Sequence, residues 1–120
     1  MKDANDLLKE WKERLGLHDW QISLHTDCRP DEMTDPDAVG CSVWQEATKA
    51  ARIEIIGEQY YGEDMVVHFD FEKTLVHELL HLKTCLISSE CDPLQERIAH
   101  QLIDDLARAF VDAKRCKNEA

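Results

Sequence analysis

The sequence lacks any apolar run approaching the ~20 residues that cross a bilayer, and its opening residues, MKDANDLLKEW, lack the apolar centre of a signal peptide. Both absences lead us to expect a cytoplasmic protein with no membrane partner. Positive charge is scarce: 14 Lys+Arg stand against 25 Asp+Glu, for a net charge of −11 with histidine neutral. Such a surface repels phosphate backbones and anionic lipid, which argues against a nucleic-acid partner. There is no CxxC pair, and the five cysteines (Cys28, Cys41, Cys85, Cys91, Cys116) are odd in number. That excludes a four-cysteine zinc site and reads as free thiols, not as a disulfide framework. Four glycines, three prolines and no internal repeat leave no room for a fibrous or low-complexity chain. Histidine, by contrast, is plentiful for a chain this short, with six.

The 120 residues suffice for one core and a few elements, so 1–120 reads as a single domain. Leu7, Leu8, Trp11 and Leu15 recur at helical spacing, with Asp3 or Asn5 as cap and Gly16 as terminator. Trp20 to His25 alternates apolar and polar as a half-buried strand does. Residues 27 to 37, acidic and holding two prolines, form a loop. Val39 to Gln45 and Arg52 to Ile56 read as a hairpin, although the Ala-rich join between them could carry helix. Met65 to Phe69 is a short strand or a lead-in to the next helix. From Phe71 to about Ile87 the chain is apolar on more than one side of a helical wheel, which predicts a buried helix capped by Asp70. The run Asp92-Pro93-Leu94-Gln95 combines an N-cap, a first-position proline and a capping-box partner. It predicts a helix to about Lys114, with Leu94, Ile98, Leu102, Ile103, Leu106 and Phe110 as its apolar face. The order predicts an α+β fold: an N-terminal helix, a small mixed or antiparallel sheet of three to four strands, and two packed helices.

Residues 77 to 81 spell His-Glu-Leu-Leu-His inside the buried helix. Histidines four apart share one helical face, so both imidazoles can reach a single Zn²⁺ at ~2.0–2.1 Å. Glu78 points about 100° round the helix, so it can stand beside the metal without ligating it. There it would act as general base on a zinc-activated water and later return the proton to the leaving amine. Two histidines and a glutamate in an apolar helix are otherwise costly to bury.

A catalytic zinc needs a third protein ligand and one open position. Glu90, Asp92, Glu96 and His100 are the candidates around the start of the final helix. At about 100° per residue, Glu96 falls between Ile103 and Ala107, inside the edge of the apolar face, whereas Asp92 is engaged as a cap. Glu96 is therefore the expected third ligand. His100, one turn on and slightly further round, stands beside the same site as a ligand, a substrate-facing group or a solvated residue.

The stretches KTLVHELLHLKT and QERIAHQLIDDLARAF resemble the zincin metallopeptidases, specifically the small gluzincins, in which an HExxH helix is followed by a helix supplying a glutamate. They are similar to compact, often phage-encoded metallopeptidases related to the SprT-like and ImmA/IrrE-type groups. The likeness covers about residues 52 to 112. It implies one zinc per chain on His77, His81 and Glu96, Glu78 as catalytic base, and a peptide or protein substrate laid along an edge strand. Arg52 to Ile56 is the candidate edge, with an interior strand as the equal alternative. It also implies an electrophile for the oxyanion; Tyr60, Tyr61 and His68 are available and nothing selects among them. The chain departs from the pattern in the short spacing of His81 and Glu96, and no histidine lies between them. No zinc ribbon, basic extension or helix-turn-helix is present.

The expected function is thus zinc-dependent peptide hydrolysis. The alternative is a catalytically silent or zymogen-like relative acting as a metal-stabilised binding module, and a zinc hydrolase of another bond is a further possibility. Trp11, Trp20 and Trp44 read as core aromatics and Cys85 as a small buried thiol. The oligomeric state is not legible.

Overall fold

A computed structural model describes residues 3–62, 65–88 and 92–119, with the backbone alone for 86–88 and 117–119. Cys91 and Glu90 lie outside the described residues. The chain forms α1 (Ala4–Arg14), β1 (Gln21–Cys28), β2 (Gly40–Gln45), β3 (Ala50–Ile56), α2 (Phe71–Ser88) and α3 (Pro93–Glu119). This is an α+β arrangement of three helices and a three-stranded mixed sheet.

Local chemistry sets the element ends. Asp3 caps α1 by accepting from the Asp6 N–H, and Gly16 follows it at φ 68°, a left-handed conformation natural to glycine. Asp70 Oδ1 accepts from the Lys73 N–H at the start of α2. Asp92 and Gln95 form the reciprocal capping box: Gln95 N–H donates to Asp92 Oδ1 at 2.8 Å and Asp92 N–H to Gln95 Oε1 at 3.1 Å. The join between β2 and β3 is a turn, not a helix, closed by Lys49 N–H on the Glu46 carbonyl. Met65 to Phe69 is a connecting segment without strand pairing.

The sheet runs β1-β3-β2, with β3 parallel to β1 and antiparallel to β2. Arg52 to Ile56 therefore lies in the middle strand, with Arg52 paired to both Ser23 and Val43. It has no open edge for a substrate; β1 and β2 are the edges. Ala51, Ile53 and Ile55 face the helices and join Trp11, Leu17, Trp20, Leu75, Val76 and Leu79 in the main core. Ile56, on the other face by strand alternation, packs with Cys28 and Met33.

Helix α2 lies between the sheet and α3 and packs against both. Leu75, Val76 and Leu79 are fully buried, each contributing about 1.5–3 kcal/mol by removal from water. On α3 the buried stripe is Ile103, Ala107 and Val111, continued by Lys114. Leu94, Ile98, Leu102, Leu106 and Phe110 are exposed, so of the expected apolar face Ile103 alone is buried. The reason is geometric: the helix meets α2 along one ridge, and these five lie on the next.

An ion network ties the three helices together. Glu72 of α2 accepts from Trp11 Nε1 at 2.7 Å and from Lys114 Nζ at 2.5 Å, while Lys114 also reaches Glu10 at 3.0 Å. Arg115 grips Asp70 through both terminal nitrogens, at 2.6 and 3.0 Å. Lys114 and Arg115 thus fix α3 to α1 and α2.

Candidate metal centre

Helix α2 places His77 and His81 one turn apart, with ring centroids 5.1 Å apart. Helix α3 packs beside them and brings in His100, 4.7 Å from the His77 ring and 5.5 Å from the His81 ring. One ring nitrogen from each of the three lies within 4.8 Å of the others. The Nε2 atoms of His77 and His100 are 3.2 Å apart. Two nitrogens held at ~2.05 Å by one tetrahedral zinc stand about 3.3 Å apart, so this pair already has the spacing of a ligand edge.

Asp104, one turn beyond His100, reaches His77 Nδ1 at 3.3 Å. With the Nδ1 proton donated there, the Nε2 lone pair of His77 is turned to the centre of the cluster, the orienting role carboxylates play behind metal-bound imidazoles. Burial and the neighbouring rings favour the neutral form of His77 and His81. The His81 imidazole is pushed down to about 4 by burial and by His77 and His100. His77 is lowered by burial and His100, against the pull of Asp104. Neutral imidazole is the form that binds metal. The donor set, three imidazole nitrogens drawn together from two helices, fits zinc.

The sequence-based third ligand falls elsewhere. Glu96 is exposed in the first turn of α3 and does not belong to the cluster, whose third member is His100. Glu96 shares nearly the same side of α3 as His100 but sits a full turn, about 6 Å, nearer the helix start. Where α3 runs alongside α2, the residues level with His77 are His100 and Asp104. Asp92 caps α3 as expected.

Glu78 points from α2 to β2. Its side chain is buried, and burial pushes its carboxyl up to about 7 against the downward pull of a hydrogen bond from Ser42. Ser42 Oγ donates to Oε1 at 2.6 Å. The other oxygen lies over Gly40, where a Cβ would stand 2.8 Å from Oε2 and 2.9 Å from Thr74 Cγ2. A glycine is thus needed at position 40 for close approach. Neither Ser42 nor Gly40 carried any signal in the sequence, because the contact spans 36 residues. Asp104 is likewise absent from the sequence-based site, and its spacing of four from His100 was the available clue.

Of the candidate electrophiles, the Tyr61 hydroxyl donates to the Val67 carbonyl and its ring packs on Phe69. Tyr60 and His68 are exposed. The sequence readings of Trp11 and Cys85 as core residues hold, and Cys85 Sγ donates to the Leu82 carbonyl within that core. Among the described residues Cys28, Cys41 and Cys116 are free thiols, and no helix is long and apolar enough to cross a membrane.

Comparison with protein-family models, with curated proteins and with solved structures finds no match.

Proposed function

We propose that the chain is a zinc-dependent metallopeptidase that binds one zinc through His77, His81 and His100 and uses Glu78 as general base. The observation that carries this reading is the convergence of three imidazole nitrogens within 4.8 Å beside a buried glutamate of the same helix. Bound there, zinc would supply Lewis acidity, lowering the pKa of a water and polarising the scissile carbonyl.

The chain's own residues supply the rest. Glu78, with its carboxyl near 7, is poised to take a proton at neutral pH and hand it on. Ser42 fixes one carboxylate oxygen, so proton transfer falls to Oε2 over Gly40. Asp104 holds the His77 ring in one tautomer. β2, an edge of the sheet beside α2, takes the place that Arg52 to Ile56 cannot fill. A peptide paired to its free edge would pass over Ser42 and Glu78, with main-chain hydrogen bonds for affinity. Peptide or protein is the proposed substrate, with no nucleic acid and no membrane partner, and the proposed location is cytoplasmic.

A metal-stabilised binding module is the rival. Glu78 weighs against it, because a structural site has no use for a buried carboxyl that costs stability when ionised. The test is hydrolysis of a fluorogenic peptide library by the zinc-loaded chain. Wild type cleaves and Glu78→Gln does not, although both hold zinc; zinc-loaded wild type that cleaves nothing in the library leaves the binding module as the better reading.

A further inference from the structure

The two edges of the sheet differ. β1 is interrupted by a bulge between His25 and Cys28 and holds Asp27 at φ 56°, devices that keep an edge from pairing. β2 pairs with β3 in unbroken register, and its six residues, Gly-Cys-Ser-Val-Trp-Gln, carry no charge and no proline. The bond from the Ile56 N–H to the Val39 carbonyl fixes the phase of that ladder. Cys41, Val43 and Gln45 therefore turn their backbone groups to β3, while those of Gly40, Ser42 and Trp44 point outwards. β2 is the edge suited to an added strand.

Acidic residues stand at its head. The Thr34 N–H donates to the buried Glu54 carboxylate at 2.9 Å, which ties the preceding loop to the middle strand. The Asp37 N–H donates to Asp35 Oδ1 at 3.0 Å and the Ala38 N–H to the Asp35 carbonyl at 3.2 Å, so a closed turn leads into Val39. Asp35 lies close enough to the Cys41 thiol for its backbone and its charge both to act on it. Asp35 and Asp37 are exposed. The cations nearest in sequence are engaged elsewhere, Arg29 by Asp31 and Glu32 and Arg52 by Glu54.

We infer that the free edge of β2 takes an extended peptide whose middle is uncharged and whose end beside Val39 carries lysine or arginine, with Asp35 and Asp37 determining that specificity. This names a substrate class for the proposed peptidase and rests on that reading for the site. In an added strand, side chains opposite Gly40 and Ser42 point to α2 and Glu78. Those opposite Val39 and Cys41 point to the outer face of the sheet, where Asp35 meets the Cys41 thiol. A basic residue one or three positions from the one opposite Ser42 thus comes to the two carboxylates. An acidic residue there is repelled, so the charges select among peptides that the backbone would otherwise hold alike.

Fluorescence anisotropy of short rhodamine-labelled peptides, blocked at both ends, tests this on the zinc-loaded Glu78→Gln chain, which leaves them intact. The peptides share an Ala-Val-Thr middle and end in two lysines, two glutamines or two glutamates. The lysine peptide is expected to bind about 3- to 10-fold tighter than the glutamine one, and the glutamate peptide more weakly than either. Asp35→Asn combined with Asp37→Asn should erase that ratio. Asp31→Asn, in the same loop but already held by Arg29, should keep it. Asparagine retains the Oδ1 acceptor of the turn; if the double variant does not fold, Asp37→Asn alone should lower the ratio. A lysine peptide that binds no tighter than the glutamine one would overturn the inference. So would an advantage that survives the double variant, since it would then belong to the overall charge of −11. Because the readout is binding, a wild type that cleaves nothing would strike the peptidase reading alone.

Discussion

Ser42 and Glu78 meet across the seam between β2 and α2, with Ser42 Oγ donating to Glu78 Oε1 at 2.6 Å. The bond anchors one oxygen of a carboxyl that burial holds near pKa 7, and so leaves the other to face the edge of the sheet. A strand thereby sets the aim of a helical glutamate.

The charge state of Glu78 has a measurable consequence in the metal-free protein. Its folded pKa lies above the ordinary 4.5, so the stability it contributes when protonated is lost as pH rises from about 4.5 through 7. Glu78→Gln removes this loss. At pH 8 the metal-free variant should be more stable than wild type by about 1–3 kcal/mol in urea titration, and the two should converge near pH 4. Equal stabilities at pH 8 would contradict the burial of an ionisable Glu78.

His77 and His81 act in the opposite sense. Their folded pKa values lie below the ordinary 6.5, so the unfolded chain takes up protons first, and stability is lost as pH falls below 6.5 towards 4. In wild type the Glu78 effect offsets this between about 4.5 and 6.5. The Glu78→Gln background unmasks it: its urea midpoint should climb with pH from about 4 to 6.5 and then level.

Gly40→Ala sets a methyl against Glu78 Oε2 and Thr74 Cγ2 at under 3 Å. We expect a loss of about 1–3 kcal/mol in unfolding free energy from overpacking. Zinc content should stay at the wild-type level, since the residue lies against the base and not the ligands, while peptide hydrolysis drops.

Asp104→Asn tests the carboxylate behind His77. The substitution is exposed and should leave stability within about 0.5 kcal/mol, yet weaken zinc binding roughly 10–100-fold in a chelator competition. Unchanged affinity would remove Asp104 from the site.

Lys114→Met tests the scaffold. It strands Glu72, a buried carboxylate held by Lys114 at 2.5 Å and left with Trp11 and the more distant Arg115. The expected cost is about 2–4 kcal/mol, read as a lowered urea midpoint. The double variant Glu72→Gln, Lys114→Met should recover part of it, because the uncompensated charge is then gone.

What the sequence made legible follows from distance along the chain. The caps of α1, α2 and α3 and the pairing of His77 with His81 are local, set by spacings of three or four residues, and were readable. So was the β2–β3 hairpin. The place of β1 was not, because its parallel pairing to β3 joins residues about 29 apart, Ile22 with Ala51. The third histidine was missed for a related reason: helical angle gives the side of α3 that faces α2 but not how far along it the two cross. Glu96 and His100 are nearly equivalent by angle and differ by a turn in height. The apolar pattern of α3 likewise contained two stripes, and the sequence could not say which one α2 would cover.

The most direct test of the central claim is metal content by elemental analysis of wild type, His100→Ala and Glu96→Ala, purified without added metal or a histidine tag. The account predicts about one zinc per chain in wild type and in Glu96→Ala, and a sharp loss in His100→Ala. Zinc kept by His100→Ala but lost by Glu96→Ala, or a wild-type protein that takes up none, would contradict it.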